Sequence, residues 1–164
     1  MSGRGVAAWG LLFAACVEPV DSACLAADGL HVQLGTGDED FVDLEEGGPL
    51  PFVAGQQGGH HVFVSLRARG LVPGTGQLGE NDHPRVALGL DAGGVRLSGF
   101  ELHPLPFDDG GEEVELIGQL LALSHPDPPS LDEATASLWA EVEDRCGQRA
   151  DDALDVVLQL RRGR

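Results

Sequence analysis

The feature that most constrains this chain is two-residue alternation, repeated through short apolar runs and broken each time by glycine, proline or aspartate. In "LHVQL", Leu30, Val32 and Leu34 share one side and His31 and Gln33 the other. In "HVFVSLRA", Val62, Val64, Leu66 and Ala68 share a side, with His61, Phe63, Ser65, Arg67 and then Arg69 opposite. Val86, Leu88 and Leu90 of "RVALGL" repeat the pattern, as do Leu154, Val156, Leu158 and Leu160 of "ALDVVLQL". Successive side chains of a strand point to opposite faces, so each run reads as a half-buried strand. No long segment carries the 3.6-residue period of an amphipathic helix.

The runs "FVDL", "LPFV", "VRLSGFEL", "VELIGQLLAL" and "SLWAEVED" complete the set. Turn-rich stretches such as "EEGGP", "LVPGTGQLGENDHP", "PFDDGG" and "SHPDPPS" separate most of them. "DAGG" between two runs reads as a hairpin turn. "LDEATASLW" allows a short helical turn, with Asp132 and Glu133 suited to its start. About nine short strands imply an all-β antiparallel sandwich. The 164 residues suit one such domain with a short appendage. A domain of that size buries roughly 70% of its extended-chain surface.

Charge narrows the partners. The formal net charge is −17, and all ten basic residues are arginine. Such a surface repels phosphate backbones, which speaks against nucleic acid, and repels anionic lipid headgroups. Solubility is the plain consequence. Lysine and tyrosine are absent, isoleucine and asparagine occur once each, and there are 24 glycines. Codons rich in A and T are thus avoided, which points to a GC-rich genome.

The N-terminus reads as an address. Arg4 precedes an apolar stretch over residues 6–15, too short for the roughly 20 residues that span a bilayer. It ends in Ala14-Ala15-Cys16 and so resembles a bacterial lipoprotein signal, although Phe13 stands where leucine is commoner. The resemblance implies cleavage before Cys16 and a lipid on it, with a signal over residues 1–15, a tether over 16–28 and a domain over 29–164. Val17 then leans towards the outer membrane by analogy with lipoprotein sorting. An ordinary secretory signal is the other reading. With Cys16 lipidated, Cys24 and Cys146 remain to form a disulfide in an oxidising compartment, clipping the tether to a late strand. Two free thiols, or Cys16 paired with Cys24, are the alternatives.

Two further resemblances concern the mature chain. "LWAEVEDRCGQRADDALDVVLQL", with its "V-x-D-x-x-G" before the last strand, is similar to the closing hairpin of immunoglobulin-like and fibronectin-type domains of bacterial surface proteins. That makes an immunoglobulin-like sandwich the expected fold, with a jelly roll as alternative. The stretch at residues 35–66 resembles exported proteins of GC-rich bacteria, of myxobacterial type, with a "G-x-Q-G-G-x-H-V" motif. Gln57, Gly58, Gly59 and His61 fill it here. The resemblance implies kinship and location, and no activity.

Site chemistry is sparse. The histidines fall in no H-x-H or H-x-x-x-H spacing, whereas zinc or copper needs three or four converging ligands. His31, His60 and His61 are the candidates. Adjacent His60 and His61 point to opposite faces unless the backbone bulges at Gly58 and Gly59, and His31 could meet His61 across neighbouring strands. The acidic clusters at residues 38–46 and 108–113 lack EF-hand spacing. No serine lies in a G-x-S-x-G elbow, and no glycine loop carries the lysine that phosphate binding requires. Few aromatic residues argue against a carbohydrate-stacking surface. The expectation is a non-enzymatic envelope lipoprotein without cofactor, a structural or binding module held to the membrane by its lipid and meeting an envelope protein. A periplasmic copper-, zinc- or calcium-binding protein is the alternative.

Overall fold

The computed structural model describes residue 24 and residues 29–55, 58–74, 83–108 and 111–161. Strands form at all nine runs: β1 (His31–Thr36), β2 (Val42–Asp43), β3 (Gly48–Ala54), β4 (His60–Arg69), β5 (Arg85–Ala92), β6 (Val95–Pro104), β7 (Glu113–Ala122), β8 (Thr135–Glu143) and β9 (Arg149–Arg161). The fold is all-β and sandwich-like. Apart from the helical backbone at Cys24, the helical turn among the described residues is a 3-10 turn at Pro128–Leu131. The turn anticipated to start at Asp132 therefore lies four residues earlier and ends just before it. Pro128 and Pro129 fix φ for it, while Asp132 already has extended backbone and Glu133 has φ +64°.

The ladder runs β2-β1-β4-β3-β9-β8-β5-β6, with β7 on the remaining edge of β4. β4 meets β7 over His61 to Arg69 on one edge. On its other edge it meets β3 at His60 to Val62 and β1 from Val64 to Arg69. β3 then leaves β4 and joins β9, so the sheet folds back over itself into two layers. Leu34 N–H of β1 reaches across to the Asp152 carboxylate of β9 at 2.7 Å. Among the described pairings only β3 with β9 is parallel, running from Gly48↔Val156 to Val53↔Arg161.

The inward sets are those the alternation marks. Val62, Val64 and Leu66 of β4 face Leu88 and Leu90 of β5, Leu138 of β8 and Val156 and Leu158 of β9, all without exposed surface. Each such side chain contributes roughly 1.5–3 kcal/mol by leaving water. "DAGG" makes the expected hairpin: Gly93 and Gly94 both have positive φ, the geometry of a two-residue primed turn.

Candidate functional site

The glycine-rich stretch before β4 is a turn. Gly55 N–H donates to Gly59 O at 2.6 Å and Gly58 N–H to Gly55 O at 3.0 Å, with Gly58 at φ +83°. This brings Ala54 opposite His60. Gly58 and Gly59 lie in this turn and His61 is the second residue of β4, while Gln57 lies outside the described residues. The two histidines separate onto opposite faces as the period-2 rule requires. His60 turns inward, its ring 5.9 Å from buried Phe52, and its Nδ1 is buried without a hydrogen-bond partner. His61 turns outward, edge-on to Phe63 at 5.0 Å.

His31 does not join them. The β1–β4 register pairs it with Arg69, whereas His61 pairs with Val53 and Ala122. The cross-strand pairing of His31 with His61 is therefore corrected: eight residues of β4 separate the two positions, about 26 Å at the usual strand rise. Among the described residues no three His, Cys, Asp or Glu side chains converge to hold a metal ion.

At the His31 end the outer face of β1, β4 and β7 carries a charge network. A cleft of about 370 Å³ is lined by His31, Gln33, Arg67, Arg69 and Glu113. Arg67 lies 2.9 Å from Glu115 and 3.7 Å from Glu113, and its guanidinium stacks 4.0 Å from the Phe41 ring centroid. Phe41 in turn lies where a Cβ on Gly35 would project, so only glycine admits the stack there. Arg69 pairs with Glu113. Both arginines are thus neutralised by carboxylates, which leaves this cleft poorly suited to an anion. Exposed pairs of this kind contribute about 0–1 kcal/mol each.

Ser65 departs from the alternation. Its side reads as solvent-facing, yet it has no exposed surface. Between Val64 and Leu66 the register with β7 slips, two steps on β4 facing three on β7. Gly118, at φ +68°, occupies the bulge and donates its N–H to Ser65 Oγ at 3.0 Å, while the hydroxyl donates to Gly37 O at 3.0 Å. The hydroxyl is spent on backbone groups and has no base beside it, so it is structural.

Cys24 and Cys146 are joined, with Cα atoms 5.5 Å apart. Cys146 lies in the turn between β8 and β9, so the clip closes on a turn and not on a strand. Asp144 builds that turn. It is 3% exposed, and its carboxylate accepts from Cys146 N at 2.8 Å and from Gln148 N and Nε2 at 2.9 Å each. Gly147 N–H closes the loop onto Asp144 O at 3.0 Å, with φ +78°. The spacing Val142-x-Asp144-x-x-Gly147 is thus explained: a core valine, a buried acceptor and a residue tolerant of positive φ.

On the outer face of the second layer, Trp139 lies over Gly89, where any Cβ would collide with the indole. Its Nε1–H donates to Asp91 at 2.8 Å, and Arg96 both bonds Asp91 at 2.6 Å and stacks 4.9 Å from the indole. Burial is the largest influence on the Asp91 carboxyl and opposes its ionisation. The Arg96 and Trp139 hydrogen bonds, with the Arg96 charge, outweigh it and hold the carboxyl below its ordinary value. Sequence reading missed this cluster, and its signal was a glycine directly before a "LD" inside a strand.

No family model matches the chain, and no curated protein matches it. Among solved structures the N-terminal domain of PorA is similar over 78% of this chain and 97% of that one, at 11% identity and a TM-score of 0.29.

Proposed function

We propose that this chain is an exported, lipid-anchored sandwich domain of the cell envelope, serving as a non-catalytic binding or structural module. The Cys24–Cys146 bond carries the reading. Structural disulfides persist in oxidising compartments and are rare in the cytosol. This one uses two of the three cysteines and leaves Cys16, directly after Ala14-Ala15, for a lipid. Among the described residues no helix is long and apolar enough to cross a membrane. A lipid on Cys16 supplies the attachment in this reading, and Val17 after it supports an outer-membrane address.

The same bond would orient the domain. Cys24 is eight residues beyond Cys16, at most about 28 Å of extended chain. The β8–β9 turn is then held near the bilayer. The glycine turn before β4 and the β5–β6 hairpin lie at the far ends of their strands and face away from it.

Fractionation tests the anchor. Wild-type protein is expected in the detergent phase of envelope extracts, and Cys16→Ser in the soluble periplasmic fraction. Cytoplasmic recovery of both would overturn the reading. Copper or zinc raising the melting temperature of the wild type, but not of His61→Ala, would favour the metal-binding alternative.

A further inference from the structure

We propose that the groove between residues 37–47 and β3 is the docking site of this module, and that its occupant is a basic protein segment carrying apolar side chains. The proposal rests on the binding-module reading and specifies the partner's chemistry.

The groove forms where β3 leaves β4. Two clefts of about 300 and 260 Å³ share Thr36, Val42, Pro51 and Arg161, and so are one continuous depression. Phe63 and Val53 line one end of it. Val42 stands beside them and is 51% exposed, an unusual position for a large apolar side chain in so polar a chain. Leu120, opposite Phe63 on β7, is 54% exposed and continues the apolar surface. An uncovered apolar surface of this kind, bordered by polar groups, marks an interaction site. Pro49 and Pro51 have no N–H to donate, so β3 offers no regular ladder along the groove. Recognition then runs through side chains.

Charge selects the occupant. Residues 37–47 carry six carboxylates, and Asp38, Asp43 and Glu45 line the groove itself. Asp38, Glu39, Asp40 and Glu45 are exposed, and no arginine pairs with them among the described residues. Among the described residues Arg161 is the one cation lining the groove. A net charge of −17 opposes a second copy of this chain, and equally an acidic segment. A basic segment meets the carboxylate rim, which sets its on-rate and salt dependence. Its apolar side chains fill the groove and slow its release.

Three fluorescein-labelled octapeptides test this on the disulfide-intact protein: alternating Arg and Val, alternating Glu and Val, and alternating Arg and Ser. The Arg/Val peptide is expected to bind at least tenfold more tightly than either other peptide. It should shift the backbone amide resonances of Thr36, Val42, Val53 and Phe63. Val42→Ser should weaken it at least fivefold, while Val95→Ser, also an exposed valine but on β6, should leave affinity unchanged. Unchanged melting temperatures would show that both variants are folded. Equal binding of the Arg/Ser peptide, shifts elsewhere, or indifference to Val42→Ser would overturn the proposal. Dimerisation without peptide that Val42→Ser abolishes would assign the groove to a second copy instead. A protein shown to be lipid-anchored that fails these tests loses only the groove assignment. Failure of the anchor test leaves the peptide result to stand by itself.

Discussion

Asp144 shows how much one residue can hold. Its carboxylate is buried, and besides the three donors within the β8–β9 turn it faces Val72 N–H at 3.4 Å. Hydrogen bonds to a charged group contribute about 1.5–3 kcal/mol, and buried donors left unpaired cost a similar amount. Asp144→Ala is therefore expected to destabilise the domain by about 3 kcal/mol, read from denaturant midpoints at unchanged slope. Asp91 gives a pH signature. Its folded-state pKa lies below the ordinary 3.8, so its contribution is complete above that value and is lost as pH falls through the lower folded value. Trp139 reports on it directly, and once residues 1–15 are removed it is the only tryptophan left. Its fluorescence should change in a step below pH ~3.8 in the wild type, and Asp91→Asn should abolish the step.

At the scale of elements, the strands were legible because a half-buried strand needs two-residue alternation, and turns here need glycine or proline. Gly93 and Gly94 illustrate the second point, since few other residues accept positive φ at both centres of a hairpin. The bulge in β7 was not legible. "VELIGQLLAL" reads as one run, and the inward set changes phase at Gly118, from Leu116 to Leu121, only because the β4 partner is two residues against three. Burial of Ser65 follows from that bulge and was invisible for the same reason. A Cβ on Gly118 would meet Asp38 O at 2.9 Å, in a conformation that L side chains rarely adopt. Gly118→Ala is expected to cost about 1–3 kcal/mol and to weaken hydrogen-exchange protection around Ser65. The parallel β3–β9 ladder was also beyond the sequence, because alternation marks faces and not neighbours.

For the whole molecule, the disulfide spans 122 positions and closes nearly the entire domain into one loop. Chain entropy for such a loop suggests about 4–5 kcal/mol of stabilisation, and removing bonds of this kind from small exported domains costs about 2–5. Cys24→Ser with Cys146→Ser should lower the melting temperature by roughly 5–15 °C, measured by calorimetry. The pairing was legible from cysteine number only together with the expectation of export and a lipid on Cys16. The groove beside residues 37–47 was not legible at all, since "GDEDFVDLEE" reads as a solvated acidic loop until β3 is seen to stand across from it. The most direct test of the central claim is mass spectrometry of the protein extracted from membranes without reduction. It should show an N-terminus at Cys16 bearing acyl mass, and one cross-linked peptide containing Cys24 and Cys146. An unmodified Cys16 still joined to Ala15, with Cys24 and Cys146 alkylated as free thiols, would contradict it.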